Sequence, residues 1–152
     1  VLSYMGGIDM KTQAGFLISQ IKQIGGRVFE KILAKEQIDA FNGAQGKILY
    51  VLWQKDHISI VGLSALVGLA KTTLTSMLDR MEESGLIERV PDANDRRKCI
   101  LVLTERARSL QEKYEQVSQE MNDIYFQGFC DEEIKEFEGY LQRVLSNIKE
   151  KS

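Results

Sequence analysis

The chain holds few of the residues that enzymes and metal sites rely on. Its 152 residues include one histidine, His57, and two cysteines, Cys99 and Cys130. One histidine excludes a multi-histidine zinc site and leaves little for Ser-His-Asp or Cys-His catalysis. The cysteines lie far apart and match no metal spacing. No glycine-rich phosphate loop or nucleophile–base pair is visible, so neither an enzyme nor a cofactor is expected. A single proline, Pro91, argues against long irregular linkers. No apolar run approaches ~20 residues, so no membrane span is expected. The opening VLSYMGGIDM lacks a basic-then-apolar export pattern, which predicts a cytoplasmic protein with reduced thiols. Positive charge is not in excess either: 20 Lys/Arg stand against 22 Asp/Glu, for a net charge of −2. A non-specific polycation is therefore disfavoured.

What remains is ordinary for a globular chain, with 43% hydrophobic and 28% charged residues. The length suits one domain, or a small domain with helical extensions. Charge is spread unevenly. Residues 1–54 carry six Lys/Arg and four Asp/Glu, residues 55–103 seven of each, and residues 104–152 seven against eleven. Any attraction to phosphate must come from local placement.

Both ends read as helices. From about Asp9 to Leu33, apolar Leu17, Ile21, Ile24, Val28 and Ile32 fall at helical spacing. Gly25-Gly26 inside this stretch costs about 1 kcal/mol per glycine and suggests a kink or a close helix contact. Asn42 is a good cap for a helix through Gln45, Ile48, Leu49 and Leu52 to Trp53. At the other end, Thr104 opens a stripe of Ala107, Leu110, Tyr114, Val117, Met121 and Ile124, with Gly128 as its stop. Asp131, Glu132 and Glu133 then favour a helix start. Ile134, Phe137, Leu141, Val144 and Ile148 form its stripe. Such narrow stripes suit helix-on-helix packing. A second copy of the chain would bury them; the alternative is that they fold back on the middle.

The middle is built of shorter pieces. Ser59 caps a short helix through Leu63, Leu66 and Val67, and Gly68 makes a turn. A second helix runs from about Lys71 to Ser84, with Leu74, Met77, Leu78 and Met81 inward and Gly85 as its stop. Leu86 to Val90 reads as a strand, PDANDRRK as a turn, and Cys99 to Leu103 as the returning strand. This order predicts a mainly helical winged helix-turn-helix with a two-stranded wing. Residues 1–35 are then an N-terminal dimerisation helix, 36–103 the winged domain, and 104–152 the C-terminal dimerisation helices.

Two features of the middle suggest chemistry. The outward face of AKTTLTSMLDRMEESG carries Lys71, Thr72, Thr73, Thr75, Ser76 and Arg80. Short hydroxyls and cations reach phosphates and base edges without bulk, as a helix in a major groove requires. A solvated polar face is the plainer alternative, although hydroxyl residues are poor helix formers. The turn packs Asp95, Arg96, Arg97 and Lys98 together. Charges at a hairpin tip discourage edge pairing, which is one explanation. The other is a wing entering a minor groove, where negative potential attracts arginine. Asp95 can hold the Arg97 guanidinium in a fixed direction.

The element order, the helix NGAQGKILYVL and the block GLAKTTLTSMLDRMEESGLIERVPDANDRRKCILVLTERA resemble the MarR family of transcriptional regulators. The resemblance covers nearly the whole chain. It is most specific from Leu69 to Thr104, above all in the D-x-x-D-R-R wing. It implies a winged-helix homodimer with interlocking terminal helices, a regulator or repressor bound to a palindrome in double-stranded DNA. Thr72, Thr73, Thr75, Ser76 and Arg80 fall on recognition-helix positions, and Asp95 and Arg97 on the wing's D-x-R pair. Three residues depart from the pattern. Ala70 stands where serine usually caps the helix, Ser76 where a basic residue is frequent, and Ala107 where glycine is common. The family also implies a small aromatic anionic effector, for which Arg27, Tyr50 and Trp53 are candidates; core packing with a surface arginine is the favoured alternative. Cys99 alternates with Leu101 and Leu103 and is expected in the strand core, with Cys130 more exposed and redox sensing disfavoured. His57 and Asp56 precede the winged domain, and the lone His57 at a loop end reads as polar surface. A winged-helix protein-interaction module without DNA binding is the competing function.

Overall fold

A computed structural model describes residues 11–152. Asp9, the expected start of the first helix, lies outside them. The chain divides into two compact units between Val117 and Ser118. Among the described residues no single helix is long and apolar enough to cross a membrane.

The first unit begins with α1, Ala14–Lys35, which runs unbroken through Gly25-Gly26. Gly25 is buried, whereas a Cβ on Gly26 would meet nothing within 4 Å. The apolar stripe changes character along α1. Ile32 and Leu33 are buried, but Leu17, Ile21 and Ile24 stay about half exposed at 48, 49 and 48%. Asn42 caps α2, Gly43–Gln54, as its sequence predicts. The Asn42 side chain accepts from the Gln45 N–H at 2.8 Å, and the Gln45 side chain accepts from the Asn42 N–H at 3.1 Å. This reciprocal box satisfies two otherwise unpartnered donors.

Next comes an element absent from the expected two-stranded wing. Ile58–Ser59 forms a two-residue strand, β1. Together with β2, Ile87–Pro91, and β3, Cys99–Leu103, it makes an antiparallel sheet in the order β1-β3-β2. A strand so short has no alternation to detect. Between β1 and β2 lie α3, Ile60–Val67, and α4, Lys71–Glu83. Ser59 caps α3 by accepting from the Gly62 N–H at 3.0 Å. Gly68, at φ 73°, supplies the left-handed residue that ends it. The core of this lobe is Ile48, Leu49, Leu52, Leu63, Leu74, Leu78, Met81 and Leu101, each at 0% exposure.

β2 starts one residue later than its sequence suggests. Leu86 is instead a buried turn residue whose carbonyl accepts from the Thr104 N–H at 3.2 Å. Register pairs Ile87 with Leu103, Arg89 with Leu101, and Pro91 with Cys99. Cys99 corrects an expectation. It keeps the phase of Leu101 and Leu103, yet it is exposed, because at this end the ribbon extends past the body that covers Leu101.

Thr104 caps α5, Glu105–Ser109. A break at Leu110 then separates α5 from α6, Gln111–Tyr125, where a single helix was expected. The Leu110 N–H bonds to the Ala107 carbonyl at 3.1 Å, three residues back, tightening the last turn. That carbonyl also accepts the Trp53 indole N–H at 3.0 Å. A side chain from α2 thus takes part in the break.

The second unit contains the end of α6 and α7, Asp131–Lys149. Gly128, at φ 85°, turns the chain between them. The Cys130 N–H donates to Glu133 at 2.9 Å, an acid on the first turn of α7. Phe126 packs edge-on to Phe129 and Phe137, with centroids 5.7 and 6.2 Å away. Beyond that, Leu141, Val144 and Ile148 are 41, 45 and 59% exposed.

Candidate nucleic-acid interface

The inward face of α4 is set by Leu74, Leu78 and Met81, all fully buried, with Met77 half-buried. With that face anchored, helical geometry turns Lys71, Thr72, Thr73, Ser76 and Arg80 outward, and all five are exposed. Thr75 differs. It is half-buried, and its hydroxyl donates to the Lys71 carbonyl at 2.7 Å. The helix takes its proton, so only its oxygen lone pairs remain for a partner. Ala70 occupies the cap position in extended backbone and provides no side-chain hydrogen bond. The first turn of α4 thus begins without the side-chain cap that Asn42, Ser59 and Thr104 give their helices.

The wing tip is a closed local structure. The Asp92 N–H donates to the Lys98 carbonyl and the Lys98 N–H to the Asp95 carbonyl, both at 3.0 Å. Asp95 then accepts three times from Arg97: from its N–H at 3.0 Å, its Nε at 3.1 Å and its Nη2 at 3.4 Å. These bonds, the side-chain ones first, hold the Asp95 carboxyl below its ordinary range. The Arg97 side chain is 91% exposed while that of Asp95 is 27% exposed. An exposed guanidinium is therefore aimed by a more sheltered carboxylate. Arg96 and Lys98 are exposed beside it.

Sequence reasoning missed what joins these two pieces. Arg89 on β2 donates from Nη1 to Glu82 at 3.0 Å and from Nη2 to Asp79 at 2.8 Å, both carboxylates belonging to α4. Its backbone N–H also donates to Glu82 at 3.1 Å. Asp79 and Glu82 share a helix face at i, i+3, which was the only signal in the sequence.

Asp56 gathers donors from three parts of the chain. It accepts from the Leu103 N–H at 3.0 Å, from Arg108 Nη2 at 2.7 Å and from the His57 N–H at 2.9 Å. Burial acts to raise its pKa, but these bonds, with the charge of His57, outweigh burial and leave it lowered. His57 itself is exposed and takes the left-handed conformation, at φ 60°.

Of the candidate effector residues, Tyr50 and Trp53 meet around Tyr114, with centroids 6.1 and 5.2 Å from its ring. Phe29 and Phe41 complete the cluster at 6.2 and 6.0 Å. A Cβ on Gly46 would lie 2.9 Å from Tyr114 Cε2, so the ring packs directly on the α2 backbone. Arg27 is exposed on α1. Among the described residues no group of three or more His, Cys, Asp or Glu could hold a metal.

A sequence profile of the MarR family matches residues 41–99. The HTH-type transcriptional regulator YsmB of Bacillus subtilis is 37% identical over 101 residues, covering 66% of this chain and 68% of that one. The multiple antibiotic resistance protein MarR of Escherichia coli is 30% identical over 132 residues, covering 86% and 90%. A cysteine-to-serine variant of that protein, solved in complex with operator DNA, superposes with a TM-score of 0.78. It is 29% identical and covers 86% of this chain and 92% of its own. The fold is shared as well with a regulator from Methanosarcina mazei, at a TM-score of 0.82 and 23% identity, over 93% of this chain and 100% of that one.

Proposed function

The chain belongs to the MarR family of transcriptional regulators, and from that premise we propose that it is a repressor that binds a palindromic operator as a homodimer. One observation carries the proposal. A polar helix face, Lys71, Thr72, Thr73, Ser76 and Arg80, and a cationic tip, Arg96, Arg97 and Lys98, are exposed on one lobe. Short hydroxyls with an arginine suit a major groove, and an aimed Arg97 suits the narrower groove beside it. A relative of the same fold has been solved on operator DNA, which supports this assignment.

The dimer rests on apolar surface. Phe16, Leu17, Ile21 and Ile24 on α1, and Leu141, Val144, Leu145 and Ile148 on α7, are 41 to 65% exposed. Surface of this kind on a single chain marks an interaction site, and a second copy is the simplest cover. Two recognition helices would then enter major grooves about one turn, ~34 Å, apart. Residues 1–35 and 104–152 would carry dimerisation, and 36–103 the DNA.

An effector would be a small aromatic anion held near Tyr50, Trp53 and Arg27, and it must bind one spacing of the recognition helices better than the other. The regulator acts without catalysis or cofactor, in the cytoplasm. A protein-interaction module would need apolar exposure on α4, and the large exposed hydrophobic residues Val61 and Leu66 lie on α3 instead. Selection of bound fragments from random DNA is the test. A palindrome is expected; failure to shift any fragment at low salt would favour the interaction module.

A further inference from the structure

We propose that Arg89 is a positioning residue for DNA recognition, tying the wing strand to the recognition helix through Asp79 and Glu82. This goes beyond the DNA-binding reading and rests on it. Strand β2 lies at the edge of the sheet, so an N–H turned away from β3 has no strand to bond. Glu82 supplies that partner, accepting the Arg89 N–H at 3.1 Å while also accepting Nη1 at 3.0 Å. Asp79 takes Nη2 at 2.8 Å. Three bonds to three oxygens of two carboxylates on one helix face restrain both sliding and rotation of the strand against α4. A single contact would leave a swivel. The arginine head is sheltered, its side chain 20% exposed against 59 and 42% for Asp79 and Glu82.

Asp79 and Glu82 are carboxylates on a helix that would meet a polyanion, and the Arg89 guanidinium offsets both. A bare charge account and a positioning account therefore predict opposite results when the acids are removed. Asp79→Asn with Glu82→Gln keeps both side chains near their size and deletes two negative charges. Electrostatics alone makes this protein bind DNA more tightly. A merely structural role leaves affinity unchanged once the protein is folded. Loss of the tie makes binding weaker, because wing and helix no longer hold the relation that lets both engage one duplex.

The experiment uses the full chain and the duplex that wild type selects from a random pool. If wild type selects none, the DNA-binding reading falls and takes this inference with it. If wild type binds, the inference stands or falls on the variants alone. Asp79→Asn/Glu82→Gln is expected to bind on the order of tenfold more weakly at an unchanged fold by circular dichroism. Arg89→Met, which keeps the stem's packing, should do the same and is the second variant should the first not fold. Arg97→Ala should then cost less affinity in either background than in wild type, since an untied wing already contributes less. Tighter or unchanged binding of the folded variants, or an equal cost of Arg97→Ala in all backgrounds, overturns the proposal.

Discussion

Asp56 and Arg108 lie 52 residues apart in the chain and meet at 2.7 Å. The same carboxylate holds the Leu103 N–H at 3.0 Å, so the loop after α2, the end of β3 and the start of the C-terminal helices share one anion. Burial raises the Asp56 pKa, but the bonds from Leu103, Arg108 and His57 bring it below the ordinary 3.8. A folded pKa below the unfolded one adds stability above the unfolded value and loses it as pH falls through the folded one. Asp56→Asn should be roughly 1–3 kcal/mol less stable than wild type at neutral pH. The gap should narrow as pH falls below the ordinary carboxylate value of 3.8 and on through the lower folded one, as wild type takes up its proton. Thermal unfolding across that range is the measurement, and a gap independent of pH would remove the charge of Asp56 from the account.

Arg97 is aimed by Asp95, and its side chain is 91% exposed at the tip. Arg97→Ala should weaken binding to the selected duplex several-fold, about 1 kcal/mol, and lower the salt slope by roughly one. Titrations at several salt concentrations check both numbers. An unaltered slope together with an unaltered affinity removes the wing from recognition.

Gly46 faces Tyr114 Cε2 at 2.9 Å and Phe41 Cδ2 at 3.3 Å from the position a Cβ would take. In an open helix, alanine would gain about 1 kcal/mol over glycine. Here the rings must shift, and overpacking of this kind costs roughly 1–3 kcal/mol. Gly46→Ala is expected to lower the melting temperature. A rise would mean that the aromatic cluster yields more easily than its packing implies.

Leu141 is 41% exposed on α7 between other apolar residues of the same stripe. If a second copy covers that stripe, Leu141→Arg places an unpaired charge at an apolar contact, a penalty of several kcal/mol. Sedimentation should then show a monomer, and operator affinity should fall at least on the order of tenfold through loss of the second half-site. A variant that remains dimeric with full affinity would move the interface elsewhere.

Sequence alone was sufficient for most features whose partner lies within a few residues, the Thr75 hydroxyl turned back to Lys71 and the break at Leu110 excepted. The caps at Asn42, Ser59 and Thr104, the stops at Gly68, Gly85 and Gly128, and the apolar faces of α4 and α7 follow from backbone geometry and helical period, which act locally. So does the Asp95–Arg97 pair, two residues apart in one turn. Tertiary structure decided the rest. Whether Cys99 is covered depends on where the body beneath the ribbon ends, and alternation along β3 carries no trace of that. β1 exists because β3 offers it an edge. Arg89 finds Asp79 and Glu82, Asp56 finds Arg108, and Tyr114 finds Tyr50 and Trp53 only after distant elements have packed. Period and capping are short-range effects that every residue reports for itself; a long-range contact belongs to two segments at once, and neither segment encodes the other's position.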